Sequence, residues 1–95
     1  MVRHVVMWRL HENNHENRLE ISRLLRELPD RINDIETLEV GSNFNRGEFA
    51  YDMVLITTHR DITAMENYKK HPEHIIVADR IKKLTTERAV VDFEF

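Results

Sequence analysis

The chain contains no cysteine, which excludes disulfides, thiolate metal sites and a cysteine nucleophile, and accords with a reducing compartment. It has only two glycines, Gly41 and Gly47, too few and too far apart for a Gly-rich phosphate loop, so a nucleotide cofactor is not expected. Charge of one sign is missing too. Fourteen basic and 17 acidic residues interleave along the chain for a net charge of −3, leaving no basic stripe for nucleic acid or an anionic membrane surface. No apolar run approaches the roughly 20 residues of a spanning helix. The opening "VRHVVMWRL" lacks the unbroken apolar core of a signal peptide. These readings give a cytoplasmic protein as the expectation.

The chain has 95 residues, 41% of them hydrophobic, which suits one globular domain spanning 1–95. A domain this short buries a modest share of its surface, which favours self-association. Residues 2–10 are β-branched and aromatic enough for a strand, with Val2, His4, Val6 and Trp8 on one face and Arg3, Val5, Met7 and Arg9 on the other. Large apolar groups on both faces predict that both are covered. Leu19, Leu24, Leu25, Leu28 and Ile32 recur at helical spacing and predict an amphipathic helix over 15–33, with Pro29 kinking or stopping it near Leu28. "IETLEVGSNF" reads as a second strand in which Gly41 suggests a bulge or bend, and "NRGEF" as a turn.

Residues 50–58 predict a third strand, with Tyr51, Met53, Leu55 and Thr57 sharing one face. A short helix then starts at Asp61 or Thr63 and ends before His71, since the residue ahead of a proline is pushed out of helical geometry. Pro72 suits the first turn of another helix carrying Ile75, Ile76, Ala78, Ile81 and Leu84, and "ERAVVDFEF" closes the chain as a fourth strand. The order β-α-β-β-α-β, with its second helical region split, predicts an α+β, ferredoxin-like protomer with an antiparallel sheet. Helices cover one face of such a sheet. The other is expected to carry Val6, Trp8 and Val90 and to be covered by a second copy, giving a homodimer.

"VRHVVMWRL", "LEVGSNF", "YKKHPEHIIV" and "VVDFEF" together resemble, in order and over nearly the whole chain, the stress-responsive A/B barrel domain (Dabb) family. The resemblance implies protomers whose sheets meet in a dimeric α/β barrel. The family includes olivetolic acid cyclase, which closes a polyketide by an intramolecular aldol condensation. In that enzyme the tyrosine and second histidine of a Tyr-x-x-His-Pro-x-His segment act on substrate. Matched to this segment they imply Tyr68 and His74 as catalytic, and the pocket-lining histidine of the first strand corresponds to His4.

Read as chemistry, His74 can take and return a proton near neutral pH, against the plainer role of capping the third helix or bonding to Asp92. Tyr68 can donate to a carbonyl or enolate oxygen, or simply fill the core with its hydroxyl at the rim. His4, Val6, Trp8, His71 and Asp92 are the candidate substrate-contacting residues. Each also has a structural reading: core for His4, Val6 and Trp8, a solvent-facing residue ahead of Pro72 for His71, a strand-end charge for Asp92. Pro72 breaks the helical face that His71 and His74 would need to share a zinc ion, so no metal is expected. Two functions follow. One is cofactor-free acid/base chemistry of aldol-cyclising, isomerising or decarboxylating type on a small, largely apolar carbonyl or polyketide-like ligand. The other is a non-catalytic stress-response or binding dimer, which the 33% charged content also suits.

Overall fold

The computed structural model describes all residues, 1–95. The elements run β1 (Val2–Leu10), α1 (His15–Arg26), β2 (Thr37–Ser42), β3 (Met53–His59), α2 (Ile62–Lys70), α3 (Pro72–Leu84) and β4 (Thr85–Glu94). The strands form one antiparallel sheet in the order β2-β3-β1-β4, the ferredoxin-like arrangement expected.

Local chemistry sets the boundaries. Asn14 caps α1 by accepting from the Asn17 amide at 2.8 Å, satisfying one of the donors that a helix start leaves free. The helix stops at Arg26, short of the expected 33, because Pro29 brings no amide hydrogen; a single 3-10 turn, Leu28–Asp30, follows. Ile21, rather than Leu19, enters the core from α1: Ile21 is fully buried while Leu19 is 51% exposed. Asp61 caps α2, accepting from Ala64 N at 2.7 Å. At His71 the backbone is extended and the ring's Nδ1 accepts from the Glu73 amide at 3.1 Å, so this residue ends α2 and caps α3. Strand β3 begins at Met53, and just ahead of it the Asp52 carboxylate accepts from Leu10 N at 2.8 Å.

Gly41 makes no bulge. The β2–β3 register runs through it unbroken, opposite Val54, and a Cβ there would meet Val54 Cγ1 at 3.3 Å, so close approach of the neighbouring strand accounts for glycine. The register shift of the sheet lies between Arg9 and Leu10, where β1 meets β4.

The covered and open faces are the reverse of what was expected. Val6 and Trp8 face the helices and are buried, and Val90, opposite Val6 in the register, shares their side. The core is built from Val6, Trp8, Leu10, Met53 and Leu55 of the sheet, Ile21, Leu25, Leu28, Ile32 and Ile35 of α1 and its continuation, and Tyr68, Val77 and Ile81. Each fully buried aliphatic side chain contributes about 1.5–3 kcal/mol. The open face carries Arg3, Val5, Met7, Val54, Ile56, Val91 and Phe93. Alternation alone could not pick the covered side, because both sets are apolar. No helix is long and apolar enough to cross a membrane.

Candidate functional site

Three strands and three helices line a cavity of about 490 Å³ between sheet and helices, with His4, Val6, Trp8, Leu55, Tyr68 and His74 among its residues. Tyr68 is the centre of the arrangement. Its side chain is fully buried and surrounded by three imidazoles, with ring centroids at 4.5 Å for His74, 4.9 Å for His59 and 6.0 Å for His4. Its hydroxyl is buried and has no hydrogen-bond partner. Most buried polar atoms find partners, and this hydroxyl finds none among the protein groups around it. Burial pushes its ionisation well above the usual phenol range, against a smaller opposing pull from Arg88. The group is a neutral donor.

The histidines are held in defined tautomers. His74 Nδ1 lies 3.1 Å from the Lys69 carbonyl oxygen. A carbonyl can only accept, so Nδ1 carries the hydrogen and Nε2 keeps its lone pair. Burial lowers the His74 pKa, the Lys69 carbonyl partly offsets this, and the charges of His4, Arg88 and Lys69 lower it further. The ring is thus a neutral base at neutral pH. His4 is buried and donates from Nδ1 to the Asp92 carboxylate; desolvation lowers its pKa despite the hydrogen bond and charge of Asp92. Asp92 also accepts from Lys69 Nζ at 3.2 Å. Burial raises the Asp92 carboxyl, but the contacts with His4 and Lys69 outweigh it and hold the group below its usual value.

The residues picked from the sequence divide in two. His4, Val6, Trp8, Tyr68 and His74 converge on the cavity. Asp92 bonds to His4 rather than to His74 and stands behind it. His71 is spent on capping α3.

Two residues escaped the sequence reading. His59 ends β3 one residue past the expected boundary and is fully buried. Its Nδ1 donates to the Asp34 carbonyl at 2.7 Å, so its Nε2 accepts from the Thr57 hydroxyl at 2.9 Å. Its parity with Met53, Leu55 and Thr57 was the available signal. The other is Arg88, which lies on β4 opposite Trp8 and lines the cavity. No three His, Asp or Glu side chains gather as a ligand set for a metal ion.

The sequence model of the stress responsive A/B barrel domain, Dabb, matches residues 2–95. No curated protein matches the chain. A dimeric protein of unknown function and ferredoxin-like fold from Bacteroides fragilis is 29% identical, with a TM-score of 0.84 over 99% of this chain and 95% of that one. The Arabidopsis thaliana protein At3g17210 superposes with a TM-score of 0.89 at 18% identity, covering 100% of this chain and 95% of that one. A hydroxynitrile lyase from Passiflora edulis does so with 0.85 at 13% identity, covering 97% and 90%. The last two show likeness of fold alone.

Proposed function

Given that the chain belongs to the stress responsive A/B barrel domain family, we propose that it forms a homodimer whose protomers each bind a small, largely apolar carbonyl compound. In this reading His74 and Tyr68 move protons on that ligand without a cofactor. The observation that carries it is that Tyr68 lines a cavity while its buried hydroxyl has no hydrogen-bond partner in the protein. A carbonyl oxygen placed there completes its hydrogen bonding, and the bond strengthens as negative charge develops on that oxygen.

His74 supplies the complementary half. Its Nε2 lone pair takes a proton from the carbon next to the carbonyl, the electrons pass to the oxygen held by Tyr68, and the imidazolium returns the proton at the end of the reaction. His4, fixed by Asp92, lines the same wall and orients the ligand. Aldol closure of a polyketide-like chain, isomerisation and decarboxylation all need these two roles. The likeness of the Tyr68–His74 segment to that of olivetolic acid cyclase supports the first.

The homodimer rests on the open sheet face. Val91, Phe93 and Phe95 are 59%, 42% and 56% exposed, an apolar surface that favours a partner. The Bacteroides fragilis neighbour is dimeric. A non-catalytic stress-response dimer would fill its interior and satisfy Tyr68 internally, and the open cavity with its orphan hydroxyl favours ligand chemistry over that reading.

The test is hydrogen exchange on a simple ketone. Incubated with the protein in deuterium oxide, 2-octanone is expected to gain deuterium beside its carbonyl, followed by mass spectrometry. Loss of about 10²–10⁴-fold is expected in His74→Ala. Unchanged exchange in that variant removes His74 as the base, and no exchange above buffer with any carbonyl compound tried removes the enzymatic reading.

A further inference from the structure

Arg88 is a solvent-exposed cation among the residues that line the cavity. It lies on the cavity-facing side of β4, in register with Trp8 and in phase with Val90 and Asp92. Among the residues lining the cavity, the other charged groups are Asp79, Lys82 and Glu87. Glu87 is paired with Arg9 at 2.5 Å. Of the two cations lining the cavity, Arg88 and Lys82, neither has an acidic side chain within ion-pairing distance. The Arg88 guanidinium also forms no hydrogen bond to a protein group, leaving its five donors unused. Its charge nevertheless acts on the catalytic pair, opposing the upward shift of Tyr68 and adding to the downward shift of His74.

A cavity lined by apolar side chains together with a neutral donor, a base and an unpaired guanidinium fits a particular kind of molecule. We propose that Arg88 is a specificity residue that anchors a carboxylate, so that the ligand is an apolar oxo acid. Its carbonyl meets Tyr68, its chain lies along Val6, Trp8 and Leu55, and its carboxylate meets Arg88. The planar guanidinium matches a carboxylate with two parallel N–H···O bonds. The inference rests on the proposed function for the cavity and adds the charge of what enters it.

Trp8 supplies the readout. It is the protein's one tryptophan and it lines the cavity, so its emission reports occupancy without any turnover. The experiment titrates 4-oxodecanoate and, separately, its methyl ester into the wild type, Arg88→Gln and Arg88→Lys, each checked for an unchanged melting profile. The acid is expected to bind the wild type about tenfold more tightly than the ester, a difference of about 1.4 kcal/mol. Arg88→Gln is expected to weaken the acid to the level of the ester and leave the ester unchanged, and Arg88→Lys to retain most of the preference. Added salt should weaken the acid alone. Equal binding of acid and ester to the wild type, or a preference that survives in Arg88→Gln, overturns the role of Arg88 and leaves the cavity reading standing. If neither compound changes Trp8 emission, the cavity reading fails and the inference falls with it.

Discussion

The rings of Tyr68 and His74 lie 4.5 Å apart, centroid to centroid, and are tilted by 55°. They sit on two different helices, and the extended backbone of His71 that joins those helices brings them together. Of the pair, one group is a donor with nothing to donate to, and the other is a base whose hydrogen is tied to the backbone. Such a pair is poised for a ligand and of little use to the core, and that contrast yields separable predictions for stability and activity.

Tyr68→Phe removes the orphan hydroxyl and keeps the ring. An unsatisfied buried hydroxyl costs about 1–3 kcal/mol, so the variant is expected to melt at or above the wild-type temperature. Hydrogen exchange on a ketone should fall about 10²–10³-fold, the usual loss for one oxyanion donor. A clear drop in melting temperature would show that the hydroxyl serves the fold.

Stability should also depend on pH through the histidines. His4, His59 and His74 all have pKa values lowered from 6.5, with burial the largest cause in each. Between their lowered values and 6.5 the unfolded chain binds more protons than the folded one, so stability rises with pH across that window and is lost as pH falls below 6.5. The Asp92 contribution has the same sign but enters only below 3.8. Urea unfolding midpoints measured at pH 8, 6 and 5 should therefore decline, and activity should decline with them as His74 takes up its proton. A flat profile over this range would mean that these pKa values are not lowered in the folded protein.

Much of this site is legible in the sequence. Pro72 after His71 announced the helix break, and the tyrosine and histidines around it marked the constellation. What escaped was long-range or symmetric. Asp92 was matched with His74, whereas the β1–β4 register sets it opposite His4, 88 positions away, and no local pattern encodes that register. The covered face was misassigned because Val5 and Met7 on one side are as apolar as Val6 and Trp8 on the other. His59 was lost to a boundary error of one residue, since β3 runs to 59 and not 58.

Asp92→Asn separates positioning from chemistry. Asp92 acts on His4, raising its pKa by hydrogen bond and by charge against the larger effect of burial. With the carboxylate neutralised, the His4 pKa should fall further, which an NMR titration of the imidazole resonances reads directly. About 1 kcal/mol of stability should go with it, less than a fully buried bond to a charged group because the Asp92 side chain is 26% exposed. An unmoved His4 titration would show that the pair does not persist in solution.

The open sheet face decides the assembly. Val91 is 59% exposed at the centre of the β1–β4 pairing, opposite Val5, and Arg3 lies over the Phe95 ring at 4.1 Å beside it. Apolar side chains flanked by such a cation–π contact present a surface that a second copy can cover while leaving the charged ends in water. Placing a lysine at the centre buries an unpaired ammonium on each side of a symmetric contact, because a two-fold interface repeats every change. Val91→Lys is therefore expected to shift the protein from dimer to monomer in size-exclusion chromatography with light scattering. The cavity lies on the opposite side of the sheet, so occupancy read by Trp8 emission should survive in any monomer that stays folded. A wild type that already runs as a monomer at all concentrations would refute the homodimer, and a Val91→Lys variant that remains dimeric would place the contact elsewhere on the chain.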